Sequence, residues 1–304
     1  MTQIGLMFEG QAGLTWPRWQ RLLKAAEDFG YQCVFRSDHF TIGQPYQESL
    51  EAWVSLTYAA SHTRRIEFGP LVSPVTFRHP SLLVRMAAAV DDLSSGRLVL
   101  GLGAGWNVAE HRQFGIPFYD VPARREMLTD ELEIMTRLLR QDKPVTYQGK
   151  HFSVEDAVLL PRPQRAGGPP ILIGGNGFKK TLPLAARYAD EWNAVFATPT
   201  DYRAGNVRLS ELLEQAGRQP SAVKRSIMTE VIFGADEAAL RKKLQQRPEP
   251  GPELIVGTPS QVIDKIGEFV EAGAERLMLQ WLDLDDLNGI EKLAQTVLPH
   301  FHKA

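Results

Sequence analysis

Two neighbouring ionisable side chains, Asp38 and His39, follow the apolar run Cys33-Val34-Phe35 and are the first residues in the chain placed for proton chemistry. An imidazole changes charge near neutral pH, so at the end of a buried strand His39 can give a proton to a bound ligand or take one. The competing reading is structural: His39 bonds a backbone carbonyl and Asp38 caps its own loop. A second constellation is Gly174, Gly175, Asn176 and Gly177, set between an apolar strand pattern and an amphipathic helical pattern. Glycines there let the backbone turn through positive φ and approach a ligand, while unpaired N–H groups of the next helix attract an anion such as phosphate. The alternative is an ordinary tight turn.

A third cluster, Gly101-Leu102-Gly103-Ala104-Gly105-Trp106-Asn107, spaces its glycines closely but fails the dinucleotide fingerprint, because Trp106 holds the third glycine position. A flat ligand can still approach such a backbone, with Trp106 either walling the pocket or serving as an ordinary core or interface aromatic. Glu9, Gln11, Ser37 and the segment Leu71-Val72-Ser73 also fall at the ends of apolar runs.

Several classes of function are disfavoured. The chain has 34 basic and 36 acidic side chains for a net charge of −2, so it has no electrostatic footprint for nucleic acid, and a small-molecule substrate is expected. Seven histidines include no HExxH pair, and His300 and His302 belong to a polar tail, so no metal is expected. Lone Cys33 reads as a small buried hydrophobe in a reducing compartment. No apolar run is long enough to span a membrane, and MTQIGLMFEG does not read as a secretion signal, so a cytoplasmic location is expected.

The elements that must position these clusters are βα units. Strand patterns at 4–8, 33–35, 66–72, 98–102, 171–173, 193–196, 226–233 and 276–279 alternate with helical ones. Pro80 suits a first helical position, Gly30 and Gly96 suit helix ends, and Thr258-Pro259-Ser260-Gln261 suits a capping box. Eight units predict an α/β fold, a TIM (β/α)8 barrel forming one domain over residues 1–304. An enlarged insertion between strands four and five, about residues 107–170, is expected to carry a helix at 122–139 and a hairpin near Gln148-Gly149. An open doubly wound sheet is the alternative; the unit count and the lack of a Gly-rich turn after the first strand disfavour it. A barrel collects all these clusters at one mouth, where strands end.

Taken in order, Arg36-Ser37-Asp38-His39-Phe40, the run 72–80, Ser94-Ser95-Gly96-Arg97, the run 101–107, the run 174–177 and Arg187-Tyr188-Ala189-Asp190-Glu191-Trp192-Asn193 carry a resemblance over essentially the whole chain. The sequence resembles the luciferase-like monooxygenase superfamily, in its coenzyme F420-dependent oxidoreductase branch. The resemblance implies a barrel that holds a flavin or deazaflavin ring across its strand ends with the phosphate on 174–177. By the same resemblance, the cofactor is contacted by Asp38, His39, Leu71, Val72, Gly103, Ala104, Gly105, Trp106, Gly174, Gly175, Asn176 and Gly177. It further implies a non-prolyl cis peptide at Leu71-Val72 and a homodimer; His39, from its place and chemistry, is the leading candidate for the catalytic proton source. The chain departs from some sugar-phosphate dehydrogenases of this branch, which place a carboxylate where Trp106 stands.

The implied activity is hydride transfer between coenzyme F420 and a small organic substrate. The alternatives are a two-component monooxygenase using FMN and a non-catalytic flavin-binding protein. The acidic tail of F420 needs an open exit, which Arg124 and Arg125 or Lys179 and Lys180 could line, unless these are solvated helix faces.

Overall fold

In the computed structural model, which describes residues 2–245 and 247–301, the apolar runs form parallel strands. In chain order the first five are β1 (Gln3–Phe8), β2 (Cys33–Arg36), β3 (Glu67–Pro70), β4 (Ser73–Pro74) and β5 (Leu100–Gly103). A hairpin of β6 (Val145–Gln148) and β7 (Ser153–Ala157) follows, and then β8 (Ile171–Gly174), β9 (Glu191–Val195), β10 (Lys224–Phe233), β11 (Ile255–Gly257) and β12 (Arg276–Gln280). The main sheet runs β3-β2-β1-β12-β10-β9-β8-β5-β4, with β11 beside β10. Its ends meet: Phe68 N donates to Arg97 O at 3.1 Å, and Val99 N donates to Phe68 O at 2.8 Å. The result is the expected TIM-type barrel.

The helices lie outside it: α1 (Trp16–Asp28), α2 (Ala52–His62), α3 (Pro80–Leu93), α4 (Val108–Gln113), α5 (Val121–Arg140), α6 (Thr181–Tyr188), α7 (Pro199–Gln215), α8 (Glu237–Leu244), α9 (Pro259–Glu271) and α10 (Leu287–Thr296). In α1 the buried residues Trp19, Leu22, Leu23 and Ala26 recur at helical spacing, so one stripe faces the sheet. Pro80 and Pro259 take first-turn positions, and Gln261 accepts a hydrogen bond from Thr258 N at 2.8 Å as the capping pattern predicts.

Period-two alternation divides the strand side chains between two cores. Ile4, Leu6, Phe8 and Val34 join the layer between sheet and helices, whereas Met7, Cys33, Phe35, Val99, Leu172, Met228 and Met278 form a separate cluster within the barrel. Below this plug, Arg276 is buried in contact with Glu67 and lies 3.2 Å from Glu191, and its Nε donates to Gln3 at 2.8 Å. A buried guanidinium persists because carboxylates surround it.

The third strand is not the continuous run 66–72 that the apolar pattern predicts. It breaks into β3 and β4 around a cis peptide between Leu71 and Val72. Glycine permits the close approach on its neighbour: a Cβ at Gly101 would collide with the Pro70 carbonyl. The short β11 escapes a periodicity reading because three residues give too little alternation. Between β5 and β8 the chain carries α4, α5 and the β6–β7 hairpin.

Candidate active site

A cavity of about 790 Å³ opens at the carboxyl ends of the barrel strands. Its floor is Met7, Leu71, Val72 and Met228, and its walls include Glu9, Gln11, Ser37, His39, Gly103, Ala104, Gly105, Trp106, Gly174 and Gly175. Residues on or just after β1, β2, β4, β5, β8, β9, β10 and β12 meet there because parallel strands all release their chains at one face.

His39 is held by a residue 71 positions away. Its Nδ1 lies 2.8 Å from Oε1 of Glu110, while Glu110 Oε2 accepts a hydrogen bond from Phe40 N at 2.9 Å. Glu110 is 1% exposed and sits on the short α4. Asn107 caps that helix through Ala109 N at 3.1 Å and also donates to Thr41 O at 2.9 Å, so one side chain ties α4 to the loop that carries His39. Burial alone would lower the imidazole pKa, but the Glu110 hydrogen bond and charge, followed by Glu9 and Asp38, leave it raised above its ordinary value. With Nδ1 engaged, Nε2 is the ring nitrogen without a partner among the described residues. The edge of His39 meets the Trp106 ring at a centroid distance of 5.3 Å.

A second network runs beside it. Glu9 accepts hydrogen bonds from Gln11 Nε2 and Gln280 Nε2, each at 2.6 Å. Ser37 Oγ donates to Gln11 Oε1 at 2.6 Å and accepts from Gly10 N at 2.8 Å. These bonds fix polar groups along one wall of an otherwise apolar pocket, the usual pattern of a site that orients a small ligand.

The floor suits a flat ring. A Cβ on Gly103 would lie 2.5 Å from Val72 Cγ2, so this position stays open as glycine, and one on Gly174 would sit tightly at 3.2 Å from Val72 Cγ1. Beyond the floor, Gly175 turns at φ +123°. The N–H groups of Asn176, Gly177 and Phe178 find no acceptor among the described residues, which leaves donors for a phosphate. The residues present therefore fit a planar cofactor with an anionic end.

A family model described as luciferase-like monooxygenase matches residues 2–249. The chain belongs to the luciferase-like monooxygenase family. Among family relatives, an F420-dependent glucose-6-phosphate dehydrogenase of Microbacterium testaceum is 26% identical, covering 91% of this chain and 91% of that one. A 4-hydroxyprotoasukamycin monooxygenase of Streptomyces nodosus subsp. asukaensis is 32% identical over 58% of this chain and 46% of its own. A solved F420-dependent secondary alcohol dehydrogenase in complex with an F420-acetone adduct superposes with a TM-score of 0.84 at 22% identity, covering 99% of both chains. These relatives bear the names of oxidoreductases and monooxygenases, and one of them is named for its dependence on F420, which supports an enzymatic role for the family's barrel.

Not every residue expected at the site of this luciferase-like chain reaches the cavity. Asp38 does not: it is buried behind the wall, where it accepts hydrogen bonds from Ser73 Oγ at 2.7 Å and Arg78 at 2.5 Å. Period-two alternation turns it away from the face that His39 presents. Asn176 and Gly177 also lie off the cavity wall. Asn176 clamps its loop to β9 by donating to Val195 O at 2.6 Å and accepting from Val195 N at 2.9 Å. Of the three loop glycines, only Gly175 has positive φ. The first N–H groups of α6 are not free either, because Thr181 N and Leu182 N bond Gly177 O at 2.8 and 3.1 Å, so the N–H groups without an acceptor among the described residues belong to the loop and not to the helix. Arg124 is no exit residue: its guanidinium lies 4.0 Å over the Phe118 ring and bonds Tyr119 O. Lys179 and Lys180 are exposed beside the loop.

Some motif residues turn out to be structural. Arg36 bonds Ser55 Oγ at 2.6 Å and Leu50 O at 2.8 Å, with its pKa lowered to about 10, chiefly by burial. Arg97 gathers the carbonyls of Ala60, Thr63 and Ile66. The Cys33 thiol is pushed up to about 12 by burial, which removes it as a nucleophile. Glu110, Asn193, Phe196, Met228, Gln280 and Leu282 were missed. Glu110 offers the one usable signal, an acid three residues after a helix-capping Asn107. Among the described residues, no cluster of His, Cys, Asp and Glu could hold a metal, and no helix is long and apolar enough to cross a membrane.

Proposed function

We propose that the chain is a coenzyme F420-dependent oxidoreductase, working as one barrel domain, that transfers a hydride between the deazaflavin and a small organic substrate. The supporting observation is the His39–Glu110 pair at the wall of a cavity whose floor is apolar and opened by glycine. Leu71, Val72, Gly103, Ala104 and Gly105 would lie against the ring, and the loop 174–177 would take the phosphate on its backbone donors. When bound, the deazaflavin supplies a two-electron hydride carrier.

The protein's own part is positional and acid–base. Glu110 fixes the ring orientation of His39 and leaves Nε2 to hold or release a proton at a substrate oxygen. Trp106 packs against the His39 ring, and the bonds of Glu9 to Gln11 and Gln280 keep the neighbouring stretch of wall ordered.

FMN-dependent monooxygenation is the second reading, favoured by the 32% identical monooxygenase relative. A flavin-binding role without catalysis is the third. Titrating the purified protein with F420 and with FMN, then measuring turnover under air and under nitrogen, separates the three. Anaerobic turnover with F420 supports the proposal; oxygen consumption with reduced FMN and none of that turnover would sink it. A cytoplasmic homodimer is part of the same proposal, checked by fractionation and sedimentation.

A further inference from the structure

The cavity wall carries no fixed cation. Among the described residues that line it there is no lysine or arginine, and its charged groups are Glu9, Glu110 and His39. Two carboxylates thus face one imidazole, which holds one positive charge at most. Glu9 is half-buried, and both of its oxygens are satisfied by neutral amides, those of Gln11 and Gln280. Amide donors stabilise a carboxylate without cancelling its charge. An anionic group entering the part of the cavity beside Glu9, away from the backbone donors of the loop 174–177, would therefore meet two carboxylates with the single His39 ring as the cation of the wall, and buried Arg36 acts only from behind it.

The mouth adds a second, independent observation. Ile42, Trp106 and Phe196 line the cavity while remaining 64%, 62% and 42% exposed. Large apolar side chains gathered around a concave site mark a surface that a ligand covers. Polar contacts for that ligand are few: Ser37 Oγ is already committed to Gln11 and Gly10, which leaves Nε2 of His39 as the polar atom of the wall best placed to meet a substrate.

We propose that this site selects a neutral substrate with an apolar body and one oxygen function, an alcohol or a carbonyl compound, and rejects phosphorylated or carboxylated molecules. The oxygen meets His39, and the hydrocarbon body covers Ile42, Trp106 and Phe196. This inference rests on the reading of the cavity as the catalytic site. The carboxylate of Glu9 is the selectivity element, because it sits in the wall with no ion pair.

Calorimetry on the full chain, with and without F420, tests this using cyclohexanol, its carboxylated analogue 4-hydroxycyclohexanecarboxylate, and glucose 6-phosphate. The expected result is binding of cyclohexanol with both anions at least about 100-fold weaker, the scale of a like-charge contact. The variant Glu9→Gln, which keeps the hydrogen-bonding shape, should narrow that gap by about tenfold or more. Binding of either anion as tightly as cyclohexanol, or no measurable binding of cyclohexanol, would overturn the proposal. So would an unchanged gap in a folded Glu9→Gln protein. If the neutral preference holds but neither F420 nor FMN supports turnover, the oxidoreductase reading fails and the binding inference stands. If F420 turnover is found only with phosphorylated substrates, the inference fails alone.

Discussion

Nδ1 of His39 and Oε1 of Glu110 lie 2.8 Å apart, joining the loop after β2 to the helix that follows β5. The pair makes Glu110 a positioning residue: it sets which imidazole nitrogen faces the cavity and favours the charged ring. In the folded protein the His39 pKa is raised, so the stabilisation it gives is fully present below the unfolded value of about 6.5 and is lost as pH rises through the higher folded value. Glu110→Gln removes the main raising influence and leaves burial dominant. The His39 pKa should then fall, and the pH profile of turnover should move to the acid side. An NMR titration of the His39 ring checks the shift directly; an identical titration curve in the variant would remove Glu110 from this role.

His39 itself should matter to rate more than to cofactor retention. His39→Ala is expected to lower turnover by roughly 10²–10⁴-fold, the usual range for a lost general acid or base. Cofactor affinity should change far less, because the floor and the loop 174–177 proposed to take the phosphate lie elsewhere. Steady-state rates beside a cofactor titration make the comparison, and full activity in a cofactor-loaded variant would exclude the assignment.

Gly103 is a test of the floor. A methyl group there would lie 2.5 Å from Val72 Cγ2, against a segment fixed on both sides by strand pairing. Gly103→Ala should cost about 1–3 kcal/mol in stability through overpacking and should weaken cofactor binding. Thermal unfolding and cofactor titration report the two effects separately.

Asp38 should behave as a structural residue. Its side chain is 1% exposed and that of Arg78 is 10% exposed, and Glu51 offers Arg78 a second partner. Asp38→Asn leaves a buried guanidinium short of charge and should cost about 3 kcal/mol. The denaturation midpoint should fall while cofactor affinity in the folded protein holds; the reverse pattern would return Asp38 to the binding site.

The loop 174–177, proposed to take the phosphate, can be released by one change. Asn176→Ala deletes both bonds to Val195, each worth on the order of 1 kcal/mol, and frees the loop from β9. Binding of F420 or FMN should weaken by about tenfold, with riboflavin, which has no phosphate, little affected. Equal losses for riboflavin and FMN would argue against a phosphate role for this loop.

Much of the site can be read along the chain because strand ends and glycines are local signals. The clusters at His39, Gly103–Trp106 and Gly174–Gly175 fall on one cavity, as their positions after apolar runs predict. Side-chain direction is harder to read at a strand terminus. Asp38 and His39 are adjacent, yet a one-residue change in pleat sends one to Arg78 behind the wall and the other to the cavity. Arg36 and Arg97 sit in motif blocks and look chemical, but their guanidinium groups gather backbone carbonyls.

The sequence by itself determined the alternation of strand and helix, the barrel, the glycine positions and the place of His39, since these depend on periodicity and on local backbone freedom. Only the tertiary structure decided which side chains complete the site. Glu110 reaches His39 across 71 residues, and Gln280 reaches Glu9 across 271. Contacts of that range arise when the sheet closes and brings strand ends together, and no local pattern encodes the distance between two loops that meet only then.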